Sequence, residues 1–396
     1  MATITIKNVG PIKEIINLEL NKVNIFMGPQ SSGKSTIAKI ISYCTWVEKR
    51  LMLDSVFGYS PNDDFINFHR FDNNYFNDDS FIKYENDFVH LCLKGKHLNV
   101  AEDNSKEETR NFLDYKKTKN IYIPAERNFV SAIPNLKKYN ETNDNVLCFI
   151  YDWFSAKRVY TKWNSLPILN FDIKYYYNEE SDTDRLILKD GKEIALRTAS
   201  SGLQSITPLF VIVEHLTNNI FKGKPPVSVM EKDSLEEFIK LESHRRTETE
   251  IKTLINNRTF YHSSNFIIEE PEQNLFPSTQ KELIYNLLNS LNLDRGDRIT
   301  ITTHSPYILY ALNNCMLGHL VKEKMLQDED YKDLKSLKSS IDPTNVSAWE
   351  ITDKGTINRI QGEDYLIEGN YFDACMKDVM DDFYKMINYY GDEDED

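Results

Sequence analysis

The sequence predicts an α/β fold in which buried strands alternate with helices, and three stretches carry this prediction. The apolar stretch "KVNIFMG" is followed by a glycine- and serine-rich turn and then by "STIAKIISYCTWVEKR", whose apolar spacing is typical of a helix. Two further short apolar runs, "NFIIEE" and "RITITTH", end in charged or polar residues. Short apolar strands separated by helical segments are typical of a sheet that is covered by helices.

The remaining elements follow in order along the chain. "ATITIKNVG", "IYIPAERN" and "FDIKYYYN" are predicted strands, and "RLILKDGKEIAL" is a predicted hairpin that turns at Asp190 and Gly191. "SSGLQSITPLFVIVEHL" is predicted to be helical, and the charged segment from Asp233 to Leu254 a helical excursion. "NVSAWEITDKGTINRI" predicts a second hairpin, followed by a last helix from Ala374 to Tyr389. The polar stretch from Leu51 to Lys119 shows no clean period, so we interpret it as an irregular, partly helical insertion.

Composition and charge exclude several classes of protein. Of the 396 residues, 40% are apolar and 12% aromatic, enough to bury the core of one large or two ordinary domains. The 47 Lys and Arg residues against 61 Asp and Glu give a net charge of −14, which argues against a surface broadly dedicated to nucleic acid or anionic lipid. The sequence shows no secretion signal and no apolar run of roughly 18 residues. Its five cysteines are scattered without a CxxC pair, as is typical of reduced thiols. We expect a soluble, cytoplasmic protein that does not contact membranes.

The strongest motif is "GPQSSGKS", Gly28 to Ser35, which fits the phosphate-binding pattern GxxxxGK[ST] between a predicted strand and a predicted helix. Gly28 and Gly33 let backbone N–H groups face the phosphates, together with the positive end of the helix. Lys34 is expected to neutralise the β- and γ-phosphates of ATP, Ser35 to bind Mg²⁺, and Thr36 to reach the α-phosphate. The other loop residues expected to contact nucleotide are Gln30, Ser31 and Ser32. The alternative is a chance glycine loop, which the flanking strand and helix disfavour.

The acidic stretch "NFIIEEPE" supplies the groups that a phosphate-binding loop lacks. Glu269 is predicted to bind Mg²⁺, and Glu270 to act as the general base or to orient the attacking water. Asp is the usual residue at the first of these positions, and the additional methylene of Glu269 favours a contact through water. The alternative is a solvated acidic turn, but the apolar run before the acids implies burial, and unpaired buried carboxylates are costly.

Two weaker stretches gain meaning beside these motifs. "ITTHSP" ends a predicted strand at His304, whose imidazole is expected to contact the γ-phosphate from the side opposite Lys34. "TASSGLQS" offers hydroxyl groups, a glycine and an amide at the N-terminus of a predicted helix, which suits a further phosphate contact. The alternatives are a structural histidine and an ordinary helix N-cap.

In this order, the motifs resemble those of the ABC-type ATPases. Within that family they are similar to the soluble branch of SMC and RecF-like proteins, OLD-family nucleases and AAA-labelled prokaryotic defence ATPases. The stretches that carry the resemblance are "GPQSSGKS", "IYIPAERN", "SSGLQS", "IIEEPEQNLFPSTQ" and "ITTHSPYIL". The resemblance implies a P-loop NTPase fold of ABC ATPase-head type, with a mixed β-sheet core and helical insertions. It also assigns Glu269 and Glu270 to the Walker B motif and His304 to the switch histidine.

The resemblance further implies that two copies share each nucleotide site. The signature motif, matched here by Ser201, Gly202 and Gln204, contacts the ATP on the P-loop of a partner, so the heads form a dimer or higher oligomer around ATP. The chain departs from the family pattern in two places. It has no Gln between Gln30 and Gln204, so the Q-loop glutamine is missing or replaced and slow hydrolysis is expected. In addition, Asn274 stands where relatives often carry His.

The motifs divide the chain into predicted regions. The first part of the ATPase head, with the Walker A loop, is expected in residues 1–50, and the first insertion in 51–119. The head continues in residues 120–221 with a β element and the signature motif, is interrupted by the helical excursion in 222–262, and resumes in 263–325. A C-terminal hairpin and helix are expected in residues 326–390, and a disordered acidic tail in 391–396.

The activity that the ATPase controls is suggested only by the resemblance. The segment after His304 lacks the acidic clusters of a Toprim nuclease domain, so the chain is most similar to the ATPase components of PARIS- or Septu-type phage defence. This implies a nucleotide-dependent sensor or scaffold that controls a separate effector, a nuclease or toxin, and responds to a phage protein or DNA. Three alternatives stay open: a DNA-repair or chromosome-associated ATPase of SMC or RecF type, an OLD-like nuclease, and the nucleotide-binding subunit of a transporter.

Overall fold

The computed structural model describes residues 2–53, 60–103, 112–133, 136, 144–222, 229–329, 333–387 and 389–390. The strands are β1 (Ala2–Val9), β2 (Ile12–Leu20), β3 (Val23–Met27), β4 (Phe76–Glu85), β5 (His90–Lys94), β6 (Asn99–Asp103), β7 (Thr118–Ile123), β8 (Leu166–Pro167), β9 (Lys174–Asn178), β10 (Thr183–Ile187), β11 (Glu193–Ala195), β12 (Ser263–Glu269), β13 (Arg298–Thr303), β14 (Val346–Ile351) and β15 (Ile357–Arg359). The α-helices are α1 (Lys34–Leu53), α2 (Phe129–Ala132), α3 (Asn145–Lys157), α4 (Ser201–Glu214), α5 (Val229–Glu242), α6 (Glu248–Thr259), α7 (Pro277–Ser290), α8 (Pro306–Met325), α9 (Lys335–Lys338) and α10 (Tyr371–Ile387). The predicted acidic tail at 391–396 lies outside the described residues.

A six-stranded sheet in the order β15-β14-β3-β13-β12-β7 forms the centre of the fold. Strands β14, β3, β13, β12 and β7 run parallel, whereas β15 pairs antiparallel at one edge. Strand β3 is buried along its whole length because Val23, Ile25 and Met27 face one hydrophobic cluster and Phe26 faces the other. The sheet is therefore mixed and covered on both faces.

Helices and two further sheets cover this centre. Helix α1 and the antiparallel sheet β2-β1-β4-β5-β6 share the hydrophobic cluster on one face, and α3, α4, α7 and α8 contribute to the cluster on the other. The four-stranded sheet β11-β10-β9-β8 packs beside α3, where the rings of Trp153 and Tyr175 lie 5.8 Å apart. With a glycine-rich loop between β3 and α1, this topology confirms the predicted α/β fold, with a mixed β-sheet core of P-loop NTPase type.

The interpretation of residues 51–119 as an irregular, partly helical insertion is wrong for its central part. Strands β4, β5 and β6 lie there, and β4 pairs antiparallel with β1. Ile82 and Tyr84 of β4 are buried, but the buried position before them is Ser80 and the next residue is Phe81, so the apolar period is weak in the sequence. The partner strand lies some 70 residues away, and such long-range pairing leaves no local signal.

The predicted helices and hairpins are confirmed, with small shifts at their ends. Helices α4, α5 and α6 and the hairpins β10–β11 and β14–β15 occupy the predicted stretches. The last helix, α10, begins at Tyr371 rather than Ala374, and none of its 17 residues is buried. Among the described helices, none is long and apolar enough to cross a membrane.

Candidate nucleotide-binding site

Three neighbouring parallel strands bring the predicted site residues to one edge of the central sheet. Strand β3 ends directly before the phosphate-binding loop, and β13 ends directly before His304. In the ladders, Met27 pairs with Thr303, and Glu269 at the end of β12 pairs with Thr302. The loops that follow such strands form a crevice at their carboxyl ends, where ligands of α/β proteins bind.

The backbone of the phosphate-binding loop requires both of its glycines. Gly28 has a φ of +148° and Gly33 a φ of +110°, values that residues with a side chain rarely adopt. A Cβ atom at Gly28 would lie 2.2 Å from the carbonyl oxygen of Ile351, and one at Gly33 would lie 2.8 Å from Cγ1 of Ile12. The loop is thus held in a glycine-dependent conformation at the N-terminus of α1, where anions are favoured.

Lys34 is turned into the loop. Its Nζ atom donates to the carbonyl oxygen of Gly28 at 2.8 Å and to that of Pro29 at 2.5 Å. Burial lowers the pKa of Lys34 to about 8, although the negative charges of Glu270 and Glu272 act in the opposite direction. The ammonium group is therefore held by acceptors that phosphate oxygens could replace.

The other predicted loop residues differ in exposure. Three of them have exposed side chains: Gln30, Ser31 and Ser35. Ser32 is buried and its hydroxyl has no hydrogen-bond partner. The hydroxyl of Thr36 lies 2.7 Å from that of Tyr75, so its contact with the α-phosphate stays a prediction.

Glu269 is a buried carboxylate at the end of β12. Its side chain is 6% exposed, and its Oε1 atom has no hydrogen-bond partner. Burial raises its pKa, while the nearby hydroxyls of Tyr122 and Ser35 and the charge of Lys39 act in the opposite direction. The charge of Glu126, which follows β7, also raises this pKa. A buried acceptor without a partner close to Ser35 is suited to a cation.

Glu270 and His304 form a pair beside this carboxylate. Oε1 of Glu270 lies 3.2 Å from Nε2 of His304, and both side chains are about one third exposed. The hydrogen bond from His304 holds the pKa of Glu270 below its ordinary value, and the charges of Lys34 and Arg127 act in the same direction. Glu270 also has a φ of +42°, an uncommon left-handed conformation for Glu. The site therefore contains an ionised carboxylate held in an unusual backbone conformation.

Glu272 has a positioning role that the sequence did not reveal. Its Oε1 atom accepts hydrogen bonds from the backbone N–H of His304 at 2.6 Å and from the hydroxyl of Thr303 at 2.9 Å. Burial raises its pKa. The sequence signal for this role was the third acid of "EEPE", because a solvent-exposed acidic turn would not require a carboxylate at that position.

Arg127 is the second residue that sequence reasoning missed. Its guanidinium is fully buried and donates to the carbonyl oxygens of Glu269 at 2.9 Å, Glu270 at 3.0 Å and Pro271 at 3.1 Å. It also reaches the carbonyl oxygen of Ser205 in α4 at 3.3 Å. Burial lowers its pKa to about 10. Arg127 thereby ties the loop that carries the acids to the helix that carries the signature motif.

The predicted signature residues lie at the start of α4. The Ser200 hydroxyl caps the helix by accepting from the N–H of Leu203 at 3.5 Å, and Ser201 is exposed. The side-chain amide of Gln204 donates to the carbonyl groups of Arg197 and Ala199 at 3.0 and 2.9 Å. The carbonyl oxygen of Asn274 would lie 2.9 Å from a Cβ atom at Gly202. In the part of the chain described, no hydrogen bond links Ser201, Gly202 or Gln204 to the phosphate-binding loop.

The donor set fits nucleotide phosphates and Mg²⁺. No three His, Cys, Asp or Glu side chains among the described residues are grouped to hold a metal. Mg²⁺ needs fewer protein ligands than this when water and phosphate oxygens supply the rest. The hydroxyl of Ser35 and the unpartnered Oε1 of Glu269 are oxygen ligands of the required kind.

Several solved structures are similar to this chain, although no protein-family model and no curated protein matches it. An Smc head domain from Pyrococcus furiosus, with an extended coiled coil and bound to the C-terminal domain of ScpA, has a TM-score of 0.38 and 9% identity. The match covers 96% of this chain and 99% of that one. The recombination mediator RecF, in complex with a nucleotide analogue, has a TM-score of 0.35 and 11% identity, with 90% and 97% of the chains covered. The ATP-binding cassette MJ0796, a dimer bound to ADP and Pi, has a TM-score of 0.31 and 11% identity, with 91% and 99% covered.

Proposed function

We propose that the protein is an ABC-type ATPase that binds ATP with Mg²⁺ and hydrolyses it. The pairing of Glu270 with His304 at 3.2 Å, next to the phosphate-binding loop, is the observation that carries this proposal. The loop alone would support nucleotide binding only. Glu270 adds a carboxylate that can accept a proton, and the hydrogen bond from His304 favours its ionised form. The negative charge of Glu270 also raises the pKa of Lys34 against the effect of burial.

The binding residues act through charge. Lys34 would exchange the carbonyl oxygens of its own loop for the β- and γ-phosphate oxygens of ATP, which are stronger acceptors for an ammonium group. Ser35 and Glu269 would hold Mg²⁺, which supplies neutralisation of phosphate charge when bound. The burial of Glu269 is then compensated by a cation instead of by protonation.

Hydrolysis would depend on Glu270. Its carboxylate would orient a water molecule and accept its proton, so that the water oxygen bonds to the γ-phosphorus as the bond to ADP breaks. His304 would hold Glu270 in place and contact the γ-phosphate. Glu272 keeps His304 positioned through its backbone N–H.

We further propose that Ser201 and Gly202 act on the nucleotide of a second copy. Ser201 is exposed at the N-terminus of α4, a position that favours anions. In contrast, the side-chain amide of Gln204 donates to carbonyl oxygens in the turn before α4, so its proposed role is to stabilise that turn. ATP would then stabilise a dimer, and hydrolysis would release it, because closed and open states bind nucleotide with different affinity.

The controlled partner is proposed to be a separate effector protein in antiphage defence, a nuclease or toxin. Helix α10 supports the presence of such a partner because its side chains Met376, Val379, Phe383 and Met386 are exposed along one face. Its other face carries four Asp and two Lys, and the sequence continues into "GDEDED". The chemistry that fits is a protein groove with an apolar floor and Lys or Arg along its rim. Anionic lipid would be repelled by these acids.

The function is tested by measuring phosphate release and ATP binding in the wild type, Glu270→Gln and Lys34→Ala. Glu270→Gln should retain ATP affinity, because the phosphate and metal ligands remain, but reduce the hydrolysis rate by about a hundredfold or more. Lys34→Ala should lose ATP affinity. Wild-type hydrolysis in Glu270→Gln would contradict the assignment of the base, and unchanged affinity in Lys34→Ala would contradict the nucleotide site itself.

A further inference from the structure

A second cavity lies away from the phosphate-binding loop, between α1, β7 and α3. Its volume is about 400 Å³, within the range of roughly 300–1,000 Å³ that is typical of small-molecule sites. Aromatic side chains form much of its wall, among them Tyr43, Trp46, Phe68 and Phe149. The rings of Tyr43 and Trp46 are nearly parallel, with an interplanar angle of 26°. Such a wall is suited to a flat molecule.

Three buried polar groups that line this cavity have no hydrogen-bond partner. They are Nδ1 of His69, Oδ1 of Asn145 and the hydroxyl of Tyr122, on side chains that are 1%, 3% and 7% exposed. Unpaired buried polar atoms are uncommon in proteins because each has lost its hydrogen bonds to water without a replacement. Three such atoms around one cavity indicate that the cavity suits a ligand that forms hydrogen bonds with them.

The charged groups of the cavity are already paired or engaged elsewhere. Lys119 lies 2.7 Å from Asp152, and Nζ of Lys49 lies 5.1 Å from the centre of the Tyr261 ring. Asp64 accepts from the backbone N–H of Ser60 at 2.7 Å. Asp63 accepts from the side-chain amide of Asn67 at 3.1 Å. The groups left over are neutral, since burial and the charges of Lys39 and Arg70 hold the pKa of His69 well below its ordinary value. A ligand therefore needs hydrogen-bonding edges rather than charge.

We propose that this cavity binds an uncharged, planar heteroaromatic molecule of nucleoside size, which hydrogen-bonds to His69, Tyr122 and Asn145. Asn145 Oδ1 requires a donor on the ligand, whereas the Tyr122 hydroxyl and the neutral His69 ring can pair with either a donor or an acceptor. Nucleobases present donors and acceptors of this kind around a flat ring. The aromatic wall accounts for the ring and the three polar atoms for its edge.

The cavity adjoins the nucleotide site through Tyr122. This residue pairs with Ile267 in the sheet, two residues before Glu269, and its hydroxyl lies near the Glu269 carboxylate. A ligand that engages the Tyr122 hydroxyl would change the surroundings of the proposed metal ligand. Binding itself does not depend on the ATPase function, whereas an effect on hydrolysis would rest on it.

The test measures binding of adenosine, guanosine, cytidine and uridine to the full chain by thermal shift and calorimetry, with ADP present to occupy the nucleotide site. At least one nucleoside should raise the melting temperature in the presence of ADP. Asn145→Leu and the cavity-filling Ser42→Trp should each weaken its binding by about tenfold or more, whereas Ser42→Ala should bind as the wild type does.

The proposal is overturned if none of the four nucleosides binds at millimolar concentration. It is also overturned if ADP abolishes the binding, which would assign it to the nucleotide site, or if Asn145→Leu binds as tightly as the wild type. Since Asn145→Leu does not enlarge a side chain inside the cavity, it keeps the test decisive if Ser42→Trp fails to fold.

Discussion

Glu270 combines a strained backbone conformation with the catalytic role that we propose for it. A non-glycine residue in the left-handed region costs about 1–3 kcal/mol, and such residues persist where surrounding contacts hold them. Here the N–H of Glu270 donates to the carbonyl oxygen of Thr302 at 2.9 Å, and the guanidinium of Arg127 donates to the carbonyl oxygen of Glu270 at 3.0 Å. These contacts turn the side chain toward His304. Backbone hydrogen bonds thus fix the geometry of Glu270 that the proposed hydrolysis would need.

Lys34 gives a prediction about pH. Because its pKa is lowered to about 8, a substantial fraction of the ammonium groups is deprotonated above that pH before nucleotide binds. ATP phosphates bind the protonated form, so affinity should fall as pH rises above 8, by up to about tenfold per pH unit, and binding should take up a proton. Calorimetric titration with a non-hydrolysable ATP analogue, in buffers of different ionisation enthalpy, measures both quantities.

Lys34→Arg is the control for this titration, because its guanidinium stays charged in the same pH range. The ATP affinity of Lys34→Arg should change little with pH. Lys39 and the other ionisable groups are present in both proteins, so a difference between their pH profiles is due to residue 34. Parallel pH profiles for the wild type and Lys34→Arg would show that Lys34 is not the titrating group.

The strands at the centre of the fold were predictable because each is marked by apolar residues within its own short stretch of sequence. Strands β3, β12 and β13 are short apolar runs next to polar turns, and the motif residues stand at their carboxyl ends. Strand β4 was missed because its pairing with β1 spans a long stretch of chain. Arg127 was missed for a related reason: its partners are backbone carbonyl oxygens up to 144 residues away, which leave no side-chain pattern. The cavity beside α3 is likewise a product of packing, with no motif of its own.

Arg127 connects two elements, and this gives a prediction at their scale. Arg127→Lys keeps the charge but loses the planar fork of donors, so several carbonyl oxygens of the acidic loop and of α4 lose their partner. We expect the free energy of unfolding to decrease by about 2–4 kcal/mol and ATP hydrolysis to slow. Hydrogen exchange of residues 269–272 and 201–205 should become faster. Arg158→Lys, at an exposed position after α3, is the matched control and should match the wild type.

Helix α10 gives a second prediction about an element. Phe383→Asp places a charge on the exposed apolar face, whereas Ala374→Asp places the same charge on the opposite face. When the protein is co-expressed with the proteins encoded beside it, Phe383→Asp should lose the co-purifying effector and Ala374→Asp should retain it, with ATP hydrolysis unchanged in both. Retention of the effector by Phe383→Asp would contradict docking on α10. Loss of self-association in that variant would assign the face to a second copy.

At the scale of the whole molecule, we propose that a single chain supplies only one part of the nucleotide site. Lys34, Ser35, Glu269, Glu270 and His304 are supplied by the edge of one sheet. The exposed N-terminus of α4 makes no described hydrogen bond to the phosphate-binding loop of its own chain. In the proposed arrangement, the two halves would act together when a second copy brings its own α4 to the nucleotide. Hydrolysis would then report assembly.

The central claim is tested most directly by mixing two inactive variants. Lys34→Ala lacks the phosphate ligand but has an intact α4 N-terminus, and Ser201→Arg has an intact phosphate-binding loop but a blocked α4 N-terminus. A mixed dimer contains one complete site, so an equimolar mixture should recover up to about a quarter of wild-type hydrolysis for random pairing of two copies. Hydrolysis by the mixture that does not exceed that of the two variants measured separately would contradict a site shared between two copies.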